Sequence, residues 1–286
     1  MLQYHINWAK FGIGLFAATI LSLSVHTVML QGMDIAFPDL SVIDVPYQFI
    51  VRFCAALGLI IFWDLVREKL DGSFWKKWVL LFLIDAMLTE SLFRSAFMDG
   101  YCTNSIGYML INNVPKLLTI VVMCGLVVWC VPRLDKIHLK VVAAIVIAAI
   151  FMFVASPLTS AAWKPVMEAI NHLAPKGEWC KLPYDANVLI PAYITFMEPV
   201  LACAVMAFLV WDKLAKNRGL RYLIFTLLIL AIKFQLLMPI FYGVFGKGTF
   251  SVNLISEGQF ALEAIVLSLS VGVALEWSTK SPQISN

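Results

Sequence analysis

Apolar residues fall in long blocks along this chain, not at the spacing of a half-buried helix. Eight blocks of about 20 residues, the length that crosses some 30 Å of hydrocarbon, can be marked at 9–30, 47–66, 75–97, 107–130, 138–157, 188–211, 220–245 and 250–277. Each predicts a membrane-spanning helix, so the expected fold class is an all-α polytopic membrane protein with one transmembrane domain over residues 1–286. The first block is longer than the roughly 7–15 apolar residues of a signal-peptide core and reads as a true crossing. Residues 246–249 join the last two blocks with the glycines a tight turn needs. In the longest connection, 158–187, Trp163, Val166, Met167 and Ile170 recur at helical spacing opposite Lys164, Glu168 and Asn171. That pattern predicts a short amphipathic helix at the membrane interface.

Composition supports the pattern. Of 286 residues 61% are hydrophobic and only 14% charged, with a mean hydropathy of +0.87, well above the roughly 45–50% apolar content of soluble domains. The formal charge of +3 is small and scattered, and no basic run interleaved with aromatics points to nucleic acid.

Lys and Arg are distributed unevenly between the two sets of connections. One set holds Arg67, Lys69, Lys76, Lys77, Arg133, Lys136, Lys140, Lys213, Lys216, Arg218 and Arg221, with Lys10 and Lys280 near the ends. The other holds Lys164, Lys176, Lys181 and Lys247 among Asp34, Asp39, Asp44, Asp99, Glu168, Glu178 and Asp185. The positive-inside rule therefore predicts a multi-pass protein of the cell membrane with both termini cytoplasmic. Cys102 and Cys180 are the two cysteines expected on the outer side, where an oxidising compartment allows a bridge between them. Cys54, Cys124, Cys130 and Cys203 fall within crossings.

Eight crossings with both ends inside also suggest two parallel four-helix repeats. Trp63-Asp64 and Trp211-Asp212 end the second and sixth blocks. Leu110-Ile111 and Leu254-Ile255 precede the polar pairs Asn112-Asn113 and Ser256-Glu257, and Val45-Pro46 matches Ile190-Pro191. Repeats of this kind place a transporter's site between the halves.

Candidate chemistry lies inside the blocks. Charges at membrane depth cost about 2.5–3.5 kcal/mol each on insertion scales and so face protein or a wet cavity. The set is Arg52, Asp85, Glu90, Arg94, Lys116, Glu198, Lys233, Glu257 and Glu263, nearly balanced, as pairing requires. Glu90 and Arg94 are four residues apart and can pair on one face. Asp85 points nearly opposite Arg94, and Lys233 is its expected partner by depth. Asn112 and Lys116 flank Pro115, and Glu198 precedes Pro199, which suggests opened backbone lining a cavity. Asn253 and Glu257 share one face of the eighth block, Gln259 and Glu263 another. His26, alone near the outer end of the first, reads foremost as an interfacial hydrogen bonder. The expected substrate-binding set is Arg52, Arg94, Lys116, Glu198, Lys233, Glu257 and Glu263, supported by Asp85, Glu90, Asn112, Asn113 and Gln259. The cavity opens to the outer side above an apolar inner plug.

Several chemistries are excluded. The short inner connections hold no glycine-rich phosphate loop for a nucleotide, and no Cys/His pair has zinc-ligand spacing, so no cofactor or metal is expected. The Glu90–Arg94 spacing invites comparison with the CAAX-type intramembrane proteases. That motif pairs two glutamates with an arginine and uses histidines of later crossings. Here Thr89 precedes Glu90, and His138 and His172 lie at an inner end and in a loop. A membrane aspartyl protease needs a second intramembrane aspartate. The function expected first is a transporter or flippase-like carrier for an anionic or zwitterionic small solute or lipid headgroup. The alternatives are an intramembrane enzyme acting on a lipid-linked substrate, with the carboxylates as acid or base, and a non-catalytic subunit bound to a membrane protein partner. Membrane lipids surround the chain in every case.

Overall fold

The computed structural model describes residues 6–279, which form thirteen α-helices and, among the described residues, no strand. Backbone polar groups cannot be left unpaired in hydrocarbon, and a helix pairs them within one segment. Helices α1 (Trp8–Thr27), α2 (Val45–Val66), α9 (Ala186–Thr195), α11 (Arg218–Ile232) and α13 (Phe250–Ser278) begin after Asn7, Asp44, Asp185, Asn217 and Thr249. Four of these side chains accept from the first turn: Asn7, Asp185, Asn217 and Thr249. Such caps fill N–H groups that a helix cannot pair itself.

Six helical stretches are long and apolar enough to cross a membrane: Trp8–Gly32, Val45–Val66, Ile106–Arg133, Ile137–Ala169, Ala186–Val210 and Phe250–Ser278. This is a helical membrane protein. The third and seventh blocks differ from expectation in being interrupted. Helix α3 (Phe74–Leu88) stops before residues 89–93, and α4 (Arg94–Cys102) follows. Helix α11 stops before residues 233–237, and α12 (Met238–Phe245) follows. Helices α5 (Ile106–Asn112) and α6 (Val114–Cys130) are separated by a single turn residue before Pro115, and α9 from α10 (Met197–Val210) by one before Pro199. The backbone opening expected beside both prolines is therefore present.

The first and fifth blocks each widen into a π-turn, at Val28–Gly32 and Ile150–Ala155. After α7 (Ile137–Ala149) and its π-turn, helix α8 (Ser156–Ala169) runs straight on. The helical spacing at Trp163–Met167 thus belongs to an extension of the fifth block, where a separate interfacial helix was expected. Trp163 anchors the extension by donating to the Ile111 carbonyl at 2.9 Å.

Helix α1 lies along α13, α2 along α7 and α11, and α3 along α6 and α10. Small residues allow the closest approach: a Cβ placed on Gly14 of α1 would lie 2.5 Å from the Ala274 Cβ of α13, the kind of contact that drives helix association in lipid. The two described ends meet, since Asn7 N–H donates to the Ser278 carbonyl at 2.9 Å. On the side of these ends the interior is apolar, packed with Phe62, Trp63, Leu81, Val127, Val210, Phe225, Leu267 and Val271. Ion pairs Lys69–Asp212 and Lys140–Asp64 tie helices together at that end. At the opposite end Cys102 and Cys180 are disulfide-bonded, with Cα atoms 5.1 Å apart.

The bridge makes a direct prediction. Denatured without reductant, the protein should take up maleimide at Cys54, Cys124, Cys130 and Cys203 only, and at all its cysteines after reduction. Mass spectrometry of labelled peptides reads the difference, and labelling at Cys102 before reduction would contradict the bridge.

Candidate functional site

The two interruptions are built alike. Thr89 N–H donates to Asp85, Glu90 to Met87 and Ser91 to Ala86, while in the same register Lys233 donates to Ile229, Phe234 to Ala231 and Gln235 to Leu230. Glu90 and Phe234 both take left-handed backbone, at φ 57° and 65°. That conformation costs a non-glycine residue on the order of 1–3 kcal/mol and persists only where its surroundings enforce it. Neither segment contains glycine or proline, although Pro239 stands in the first turn of α12, and their apolar flanks make hydropathy read them as unbroken crossings.

What enforces the first break is a carboxylate. Glu198 of α10 accepts from the backbone N–H groups of Leu92, Phe93 and Arg94 at 3.1, 3.1 and 2.7 Å. These are the unpaired donors at the start of α4, where an anion also meets the positive end of the helix dipole. Its position ahead of Pro199 marks it in sequence, but its service to another helix is a tertiary fact. Asn113 supports the same break by donating to the Ser91 carbonyl at 2.6 Å.

The breaks are joined by charge. Lys233 places its ammonium 2.6 Å from Glu90 and 3.1 Å from Glu263, and Arg94 lies 3.0 Å from Glu90. The expected Glu90–Arg94 pair is present. The expected Asp85–Lys233 pair is not: Lys233 is taken by the two glutamates, and Asp85 receives only the Cys124 thiol at 3.7 Å.

His26 enters this cluster, which sequence reading placed second to an interfacial role. Its Nε2 is 2.7 Å from Glu263 and its Nδ1 is 2.8 Å from the Gln259 side-chain oxygen. Gln259 donates its own NH2 to the Ser256 carbonyl at 2.8 Å, which turns its oxygen toward the ring. Nδ1 must then be a donor. With Nε2 facing a carboxylate, the pair needs one further proton, carried as imidazolium or as the acid of Glu263. The sequence signal was limited to the shared polar face of Gln259 and Glu263, since His26 falls nearer the outer end of its block than Glu263 does of its own.

Two cavities flank the cluster. The larger, 720 Å3, is lined by His26, Glu90, Arg94, Asp99, Glu178 and Glu263 together with apolar Phe37, Met98, Leu189 and Phe260. Tyr184 lies at its loop side, where burial and nearby Glu178 push the phenol above its usual range, so it stays a neutral donor near pH 7. The smaller, 290 Å3, is lined by Arg52, Asp85, Asn112 and Lys116 with Thr89, Ser91, Ser156, Ser160 and Phe234. The residues expected to form one site are therefore divided. Arg94, Lys233 and Glu263 belong to the cluster, Arg52 and Lys116 to the smaller cavity, and Glu198 to the break. Glu257 is fully buried beside Gln235, with neither oxygen hydrogen-bonded. Among the described residues no three His, Cys, Asp or Glu side chains are placed to hold a metal ion.

Replacing Glu198 tests the first break. Glu198→Ala leaves three part-buried N–H groups without an acceptor and should destabilise the protein by about 1–3 kcal/mol, read as an earlier thermal unfolding midpoint in detergent. Glu198→Gln keeps a carbonyl acceptor and should lose clearly less; equal losses would deny the charge a role. Comparison with protein-family models, curated proteins and solved structures yields no match, so what the site does is argued from its own geometry.

Proposed function

We propose that this chain is a secondary carrier. It moves a small anionic or zwitterionic solute, or a lipid headgroup, across the cell membrane from a site reached from the outer side. The observation that carries the reading is the meeting of two interrupted helices at a buried charge cluster. Irregular backbone is tolerated at membrane depth only where protein or a wet cavity surrounds it, and discontinuous helices of this kind form the sites of secondary transporters. Counting each interrupted pair as one crossing gives eight crossings. The positive-inside distribution then puts both termini in the cytoplasm and the disulfide in an oxidising compartment, where such bonds persist.

Two parallel repeats are part of the proposal. Supporting them are the matched hydrogen bonds of the breaks, the π-turns in the first and fifth blocks, and the correspondence of Trp63-Asp64 with Trp211-Asp212. Halves that pack against each other can rock about a fixed site. The energy source suited to this chain is a gradient, and the extra proton demanded by His26 and Glu263 makes protons the natural coupling ion.

A carrier must open its apolar inner half in some state. Leu81→Cys and Leu267→Cys, both at positions with no exposure, should be protected from a membrane-impermeant maleimide at rest. During turnover in inside-out vesicles supplied with a mixture of anionic solutes, they should become reactive at least tenfold faster. Protection that persists under every condition would argue for a fixed floor and against transport.

A further inference from the structure

We propose that the 290 Å3 cavity is an oxyanion site, which holds one phosphate group between the Arg52 guanidinium and the Lys116 ammonium. This deepens the carrier reading and rests on it for the step from binding to movement.

The argument begins with which charges have partners. Arg94 and Lys233 lie within ion-pair distance of glutamates, and Lys140 and Arg67 share Asp64. Among the described residues no carboxylate lies within 4 Å of Arg52 or Lys116, and neither side chain makes a hydrogen bond to protein. The only carboxylate in the lining is Asp85, 1% exposed and with one oxygen unpartnered. Within the lining two cations face one carboxylate, while Glu90, Asp99 and Glu198 lie near Lys116 from outside it. Lys116 is exposed and Arg52 half-buried, so the missing partner is most costly at Arg52, and an oxyanion held between the two cations would supply it.

Arg52 is also poised for a ligand. Its guanidinium carbon lies 4.2 Å from the Phe234 ring centroid and 4.9 Å from that of Phe151. The aromatic contacts hold the guanidinium plane and leave its N–H edge unused, which is the edge that grips phosphate or carboxylate with two parallel bonds. Ser156, Ser160 and Asn112 add side-chain donors that make no hydrogen bond to described residues.

The matched breaks sharpen this. At the start of α4 the chain supplies its own anion, Glu198. At the start of α12 no side chain accepts from the backbone; Glu257 lies beside Gln235 of that break, and Arg52 stands against its Phe234. One break is closed by a carboxylate bound to its backbone, and the other borders the cavity through Phe234. The volume suits a phosphate-sized group and leaves little room for acyl chains.

The test is binding to the purified full-length protein in detergent, with inorganic phosphate and short-chain phosphatidic acid as separate probes, read by calorimetry and by the shift of the unfolding midpoint. Binding of inorganic phosphate identifies a free phosphate ligand; binding of phosphatidic acid alone identifies a lipid headgroup. In either case the double variant R52Q/K116Q should weaken binding at least a hundredfold, while Lys164→Gln, on the exposed part of α8, should not change it. Asp85→Asn removes the opposing charge and should tighten binding about tenfold. Should R52Q/K116Q not fold, Ser160→Cys serves instead: the bound probe should slow its maleimide labelling at least tenfold. No binding of either probe, binding unchanged in R52Q/K116Q, weaker binding in Asp85→Asn, or labelling of Ser160→Cys unaffected by probe would overturn the site. Binding without vesicle transport would remove the carrier and leave the site. Transport unaffected by R52Q/K116Q would do the reverse.

Discussion

The structure depends on one ammonium group held between two glutamates. Lys233 sits in one broken helix, Glu90 in the other, and Glu263 on the long helix α13, which packs against α11 and α12. Deep in an apolar bundle an isolated charge is prohibitive, and a pair is tolerated only when its geometry is good. Each member therefore requires the others. Their mutual need fixes three helices relative to one another and holds Glu90 and Phe234 in a backbone conformation neither would adopt alone. Arg94 and His26 complete the arrangement, one on each glutamate.

From that centre the rest follows in layers. Towards the chain ends the helices close over large apolar side chains, with an open pocket of 790 Å3 at the surface between Trp63, Arg67, Phe74 and Arg133. Away from them the breaks open two cavities of different character. The larger is rich in carboxylates and apolar side chains; the smaller carries excess positive charge. The thin wall between them is made partly of the breaks themselves: Glu90 faces one cavity, Thr89 and Ser91 the other. A shift in either break would be felt on both sides.

Much of this was legible in the chain. Hydropathy located the six helices long and apolar enough to cross a membrane, because the bilayer imposes a length and a polarity that leave few alternatives. The i, i+4 rule found Glu90 with Arg94, the two cysteines outside the apolar blocks suggested their own bridge, and Pro115 and Pro199 marked places where helical backbone opens. Two things were hidden. The break at residues 89–93 has no glycine or proline beside it, so its cause is tertiary, Glu198 accepting across helices; the break at 233–237 is followed by Pro239 in the first turn of α12, a local signal that hydropathy passed over. The choice of partners was also hidden. Depth alone matched Lys233 with Asp85, but helix rotation and the left-handed turn at Glu90 bring a nearer carboxylate. His26 looked isolated because its partners lie more than two hundred residues away.

The most direct test of this account is a double-mutant cycle between Glu90 and Lys233, using Glu90→Gln, Lys233→Met and the pair, with unfolding free energy measured in detergent. If the ammonium and carboxylate hold the breaks together, each single change strands a buried charge and the combination restores balance, giving a coupling energy of roughly 2–3 kcal/mol. Additive effects, with coupling near zero, would mean that the two broken helices are held by something else and that the charge cluster is not the centre of the structure.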